Sequence, residues 1–160
     1  MRGIKIKILI ALLLFTFVFF CSRLFALPDN VPELTEECLK DKNAASCWYL
    51  GEHEKNSGDM EKAIEWYQKG CNINGSKGCS DLAKYELKNG NKEKAIAIYE
   101  KMCLLKPKYK GGTEGYAGCY ALGNMASDPK EASVWFQRGC NKRDRNSCEA
   151  LENIKKQLNQ

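Results

Sequence analysis

One stretch of this chain occurs three times, and that repetition limits the possible folds more than any other feature. Ala63-Ile64-Glu65-Trp66-Tyr67-Gln68-Lys69-Gly70-Cys71 is followed by Ala95-Ile96-Ala97-Ile98-Tyr99-Glu100-Lys101-Met102-Cys103 and then by Ala132-Ser133-Val134-Trp135-Phe136-Gln137-Arg138-Gly139-Cys140. Each copy has alanine, an aromatic residue four positions on, and cysteine four further on. Residues four apart share one face of a helix. Three copies at the same internal spacing predict an array of helical repeats with a period of 32 to 37 residues, measured from Cys71 to Cys103 to Cys140.

A second motif alternates with the first. Cys47 precedes Leu50 and Gly51, Cys79 precedes Leu82 and Ala83, Cys119 precedes Leu122 and Gly123, and Cys148 precedes Leu151. Leucine three positions on shares the cysteine's face, and the small residue after it lets another helix come close. The second motif therefore marks the first helix of each pair, and the alanine–aromatic–cysteine motif marks the second. The intervening turns carry Gly58 and Gly90, where a helix stops, with Asp59 and Asn91 placed to cap the next one. Asp128, Pro129 and Glu131 read as N-cap, first helical residue and capping-box partner in the third pair. Cys119 to Ala132 is three residues shorter than the matching spans in the first two pairs, so the third pair has a shorter first helix or a tighter turn. Asn30, Pro32 and Glu33 predict a helix from Val31 to Lys40, half a repeat that caps the N-terminal end. A helix from Asn146 to about Gln157, with Glu152, Lys155, Lys156 and Gln157 on a polar outer face, closes the other end.

Residues 1–26 are set apart as a secretory signal peptide. Arg2, Lys5 and Lys7 precede an apolar run from Ile8 to Phe20, and Ala26 offers a small residue before Leu27-Pro28. The run is too short for a comfortable membrane span. A short uncleaved anchor and a lipid-carrying Cys21 are the other readings. The bulky Phe20 disfavours the second of these, and Leu24 leaves the cleavage point open by several residues. Removing this segment takes away Arg2, Lys5, Lys7 and Arg23, leaving 21 basic against 20 acidic residues in 27–160. Such a balance offers no electrostatic footprint for nucleic acid or an anionic membrane surface.

Eight cysteines then remain, and an even number behind an export signal indicates disulfides in an oxidising compartment. Each junction between pairs holds one cysteine late in a second helix and one early in the next first helix. Antiparallel neighbours joined by a short loop bring such residues to bonding distance. The expected pairs are Cys38–Cys47, Cys71–Cys79, Cys103–Cys119 and Cys140–Cys148, each closure contributing roughly 2.5 to 3 kcal/mol before strain. The third junction is expanded by Lys106-Pro107-Lys108-Tyr109-Lys110-Gly111-Gly112.

The Leu-Gly pairs at 50–51 and 122–123, the alanines at 63, 95 and 132 and the aromatic residue four on resemble tetratricopeptide-type repeats. A cysteine at each junction is closer to the Sel-one-like repeats and, behind a signal peptide, is similar to the secreted Helicobacter cysteine-rich protein family. The resemblance spans about Val31 to Gln157, and departs from that family in its shorter turns within each pair and its expanded third junction. It implies an all-α, right-handed solenoid of about three and a half antiparallel helix pairs, with a concave face lined by first helices that binds a protein or peptide. Some members of that family are described as penicillin-binding proteins or slow β-lactamases, so an activity on β-lactams or related cell-wall compounds is the implied alternative.

The residues themselves give little support to catalysis. A serine β-lactam enzyme needs a nucleophile with a nearby base, in a Ser-x-x-Lys arrangement, along with further elements. Only Ser127 to Lys130 has that spacing. Both residues are accounted for by a helix start, and neither Ser-Asp-Asn nor Lys-Thr-Gly occurs. His53 is the sole histidine and Cys-x-x-Cys is missing, so no metal site, thioredoxin-like centre or cofactor is indicated. Tyr67, Tyr99 and Phe136 read as core. Aligning Leu50, Leu82 and Leu122 puts Trp48, Ser80 and Tyr120 at one position and Glu52, Lys84 and Asn124 at another. In stacks of this type those positions face the groove, making Trp48, Glu52, Lys84, Tyr120 and Asn124 the candidate binding residues, with ordinary packing between repeats as the competing role. The basic loop Lys106–Lys110 is a solvated loop or a contact for an acidic partner. Taken together, these features indicate an exported, periplasmic or secreted scaffold, with a purely structural envelope protein as a third possibility.

Overall fold

The computed structural model describes residues 30–105 and 116–158, and from Pro32 on they belong to one compact unit. The expected signal peptide and the Lys106–Gly112 loop lie outside the described residues. Eight helices follow in order: α1 (Val31–Leu39), α2 (Ala44–Asn56), α3 (Met60–Asn72), α4 (Ser76–Lys88), α5 (Lys92–Leu104), α6 (Tyr116–Met125), α7 (Pro129–Asn141) and α8 (Arg145–Leu158). No strand occurs among the described residues. Helices α2 to α5 and α7 have 13 residues each, whereas α6 has 10, so the missing residues of the third pair come from its first helix.

The local sequence explains where most helices begin. Asn43 Oδ1 accepts the amide of Ala45 at 3.1 Å, Asp59 Oδ1 accepts that of Lys62 at 3.0 Å, and Asp144 Oδ2 accepts that of Ser147 at 3.0 Å. Asp128 accepts from both Lys130 and Glu131, with Pro129 in the first turn. Two expected caps do not form. Asn91 turns back and donates to Glu86 at 2.6 Å, leaving α5 without a side-chain cap. Asn30 Oδ1 has no hydrogen-bond partner, so the capping box proposed there is not made.

The turns after α2, α3, α4 and α7 share one device. Gly58, Asn74, Gly90 and Arg143 have φ of 89°, 66°, 80° and 71°. In each case the next amide bonds the carbonyl five residues back, as Gly75 does to Gly70 at 2.8 Å and Asp144 to Gly139 at 3.0 Å. This left-handed closure satisfies carbonyls that the helix end would leave open, and reverses the chain within three or four residues. Successive helices are thereby forced antiparallel.

The repeated motif forms the core. Ala63, Tyr67, Cys71, Cys79, Leu82, Ala83, Ala95, Tyr99, Cys103, Cys119 and Leu122 pack in one buried cluster, and Ala132, Phe136 and Leu151 form another. From α2 onward each helix packs on its chain neighbour. First helices also touch one another, α2 against α4 and α6 against α8. Across the longer junction α4 and α6 do not do so to that extent, and neither do α3 with α5 or α5 with α7. The result is the expected all-α solenoid of helix pairs.

The four cysteine pairs lie at the junctions as expected, with Cα–Cα separations of 4.9, 4.5, 4.6 and 4.5 Å for Cys38–Cys47, Cys71–Cys79, Cys103–Cys119 and Cys140–Cys148. Such closeness needs small residues beside the cysteines. A Cβ on Gly78 would stand 2.9 Å from the Tyr67 carbonyl oxygen, and one on Gly118 would stand 2.6 Å from Met102 Cβ. Ser46 and Ser147 occupy the matching positions in the first and last junctions, both buried. Their hydroxyls are satisfied by donating to Glu37 and Asp144.

Candidate functional site

The candidate groove residues are carried by the first helices, which touch in the α2–α4 and α6–α8 pairs. Gly51 lies under the Tyr67 ring, where a Cβ would come 2.5 Å from Tyr67 Cδ1, and Gly123 lies under Phe136, with a Cβ 2.6 Å from Phe136 Cδ1. In the second pair Ala83 stands at this position and Tyr99 in the aromatic one. Glu52, Lys84 and Asn124 each follow that small residue in the chain.

That placement sets their chemistry. The Tyr67 hydroxyl donates to Glu52, whose carboxylate also takes Lys55 Nζ at 2.9 and 3.0 Å. Burial pushes the Tyr67 phenol well above its ordinary value, the Glu52 hydrogen bond adds to this, and the charges of Glu52 and Asp81 act in the same direction. In the next pair burial also raises the Tyr99 phenol, with Lys84 opposing the shift and Asp81 adding to it. Lys84 Nζ pairs with Asp81 at 3.0 Å. Asn124 is exposed at the third equivalent position.

Trp48 is drawn into packing between repeats. Its indole donates to Asp81 Oδ2 at 2.8 Å, and Lys77 Nζ stands 4.1 Å from its ring centroid and 5.9 Å from that of the exposed Tyr49. Tyr120 is half-buried, 5.8 Å between ring centroids from Phe136. The structure thus links Trp48 and Lys84 through Asp81, and Glu52 with Tyr67. It does not bring Tyr120 or Asn124 into that network.

A cleft of about 260 Å3 opens beside these groups. Lys55 of α2 forms one side, Met60, Ile64 and Tyr67 of α3 the floor, and Asp81, Lys84, Tyr85 and Lys88 of α4 the other side. A second, smaller cleft of about 170 Å3 lies between the second helices α5 and α7 and the first helix α6, with Ile96, Met125 and Trp135 in its wall.

Several contributing residues carried no clear signal in the chain. Asp81 is the hub of the network, yet its equivalents are Tyr49 and Ala121, so no repeat pattern marks it. Lys101 Nζ donates to the Cys71 carbonyl at 2.8 Å. Lys142 Nζ donates to the carbonyls of Cys103 and, at 2.9 Å, Leu105, so α5 is tied to the end of α3 and the end of α7 to the end of α5. Burial lowers the Lys142 ammonium below its ordinary value. One pattern was open to reading and identifies the tight junctions, namely the small residue before every first-helix cysteine: Ser46, Gly78, Gly118 and Ser147.

Ser127 is exposed in the turn before α7, where Asp128 uses the amide of Lys130 as a cap partner. His53 is half-buried on α2, with Nδ1 lacking a hydrogen-bond partner. No cluster of histidine, cysteine or carboxylate residues suited to a metal ion occurs among the described residues, and no helix among them is long and apolar enough to cross a membrane.

The tetratricopeptide repeat family model matches residues 44–77 and 76–109, each match covering one helix pair and running into the next junction. No curated protein matches the chain. Residues 44–109 are therefore two tetratricopeptide-like repeats, in a helical-repeat protein whose later helices continue the same motif spacing.

Proposed function

We propose that this protein is an exported, non-catalytic scaffold that binds a protein or peptide along a concave face lined by α2, α4 and α6. The observation that carries the reading is the tetratricopeptide match over α2 to α5, because repeats of that type work mainly by presenting a surface to other polypeptides. The contacts of α2 with α4 and of α6 with α8 add support, since second helices do not meet to that extent and a stack closer-packed on one side curves toward it. Export is supported by the four disulfides, which persist in oxidising compartments. The cysteine at every junction favours the Sel-one-like branch and the Helicobacter cysteine-rich proteins over other tetratricopeptide relatives.

Ser80 and Asn124 share the groove positions but take no part in the packing of Trp48 and Tyr120, so they suit a test. The oxidised chain 27–160 is screened on an array of short synthetic peptides of varied sequence. A subset of peptides binds, and Ser80→Arg with Asn124→Arg abolishes that binding while the circular dichroism spectrum is unchanged. An array on which no peptide binds the wild type, or on which the double variant binds as well as wild type, would remove the concave-face reading.

A further inference from the structure

The larger cleft has an apolar floor and a cationic rim, and that combination specifies an occupant. Met60, Ile64 and Tyr85 offer apolar surface, with Met60 41% exposed, whereas Tyr67 is buried. Lys55, Lys84 and Lys88 reach the rim from α2 and α4. The nearby carboxylates are already committed. Glu52 accepts from the Tyr67 hydroxyl and Lys55, and Asp81 accepts from the Trp48 indole and Lys84. An ammonium carries three N–H donors, and Lys55 places two on Glu52 and Lys84 one on Asp81, so both lysines keep an N–H for another acceptor. Lys88 forms no ion pair among the described residues and is exposed.

We infer that this cleft receives an acidic segment of a partner protein, which inserts one apolar side chain onto Met60 and Ile64 and sets its carboxylates against Lys55, Lys84 and Lys88. The inference rests on the scaffold reading and names the chemistry of its partner. The size suits one large apolar side chain with its flanking backbone, and burying such a side chain contributes about 1.5 to 3 kcal/mol. The rim charges supply orientation and speed of encounter more than affinity. The chain's own segments outside the described residues have the wrong charge for this rim. Lys106, Lys108 and Lys110 stand against Glu114 in one, and Arg2, Lys5, Lys7 and Arg23 against Asp29 in the other.

The test uses three fluorescein-labelled peptides with the oxidised chain 27–160. The first has glutamates around a central leucine–phenylalanine pair, the second replaces the glutamates by lysines, and the third replaces the central pair by glycines. Fluorescence anisotropy detects the first binding at least about tenfold more tightly than either control, with the advantage over the lysine peptide shrinking between about 0.05 and 0.5 M salt. Lys84→Gln with Lys88→Glu weakens it about tenfold, while Ile64→Glu removes binding without changing that of peptides held elsewhere in the groove. Equal binding of acidic and basic peptides, sensitive to Ser80→Arg with Asn124→Arg but not to the lysine variants, overturns this inference and leaves the scaffold reading in place. Absence of any peptide binding overturns both. Concentration-dependent self-association in sedimentation that is lost in Ile64→Glu assigns the cleft to a second copy and overturns the inference as well.

Discussion

The Tyr67 hydroxyl donates a hydrogen bond to Glu52, joining the core of the second helix of a pair to a candidate binding position on its first helix. The same aromatic ring lies on Gly51, so a packing position and a surface position are held by one side chain. Tyr67→Phe removes the hydrogen bond and keeps the ring. The expected cost is about 1 to 2 kcal/mol, because the bond is to a carboxylate that retains Lys55 as a partner. Urea denaturation of the oxidised chain checks this, and a loss under about 0.3 kcal/mol would show that the bond contributes nothing net.

The same pair makes stability depend on alkaline pH. The folded phenol titrates above its ordinary value of 10.0, so folding favours the protonated form. Its contribution is complete below pH 10.0 and is lost as pH rises from there through the higher folded value. Tyr99, also raised, acts in the same direction. Ultraviolet titration should show two tyrosines ionising later than the rest, and Tyr67→Phe should flatten the fall in stability above pH 10.0. Ionisation of all tyrosines together in the folded protein would contradict this.

Gly51→Ala replaces a poor helix former by the best one, a gain of about 1 kcal/mol in an open helix. Here the new methyl meets the Tyr67 ring, and displacing that ring costs about 1 to 3 kcal/mol. The net change is destabilising, and Gly123→Ala behaves alike against Phe136. Thermal unfolding of both variants decides between propensity and packing, and a raised midpoint in either would show that the ring moves aside freely.

The four disulfides should not reduce together. Cys38, Cys47, Cys71, Cys79, Cys103 and Cys119 are all buried, from 0% to 4% exposed, whereas Cys140 and Cys148 are both partly exposed. Thiol–disulfide exchange needs access to sulfur. Under limiting reductant followed by alkylation, peptide masses should show Cys140 and Cys148 modified first, with α8 protected least. Earlier modification of any other pair would mean that local opening, not exposure, controls access.

Ser127 and Asp128 separate a structural turn from a catalytic one. Asp128→Ala removes the cap of α7 and costs about 1 kcal/mol. Ser127→Ala leaves stability unchanged, and neither wild type nor variant turns over a chromogenic β-lactam. Saturable turnover that is lost in Ser127→Ala would establish the enzyme that the family resemblance implies as an alternative.

The helices, their pairing and the disulfides were legible because each depends on neighbours in the chain. A period of four defines a helix face, Gly58 and Gly90 define where helices reverse, and a spacing of eight or nine residues across a tight turn brings three of the four cysteine pairs together, Cys103–Cys119 being sixteen apart. The failure at Asn91 is local too, since an asparagine suited to a cap has other ways to use its side chain and Asn91 takes Glu86 instead, whereas Asn30 Oδ1 takes no partner at all.

Sequence alone thus determined that the chain forms helix pairs and which residues form their core, and its repeat narrowed the cysteine pairings to local ones. Tertiary structure alone decided which contacts the candidate groove positions make. By register Trp48 reads either as a groove anchor or as packing between repeats, and its indole N–H goes to Asp81, 33 residues away, beside Lys77. That contact depends on the distance and rotation between successive pairs, which arise from many packed side chains at once and leave no period in the sequence. The cleft beside α2, α3 and α4 has the same origin, because a void is set by how rigid helices fail to fill space between them rather than by any one residue.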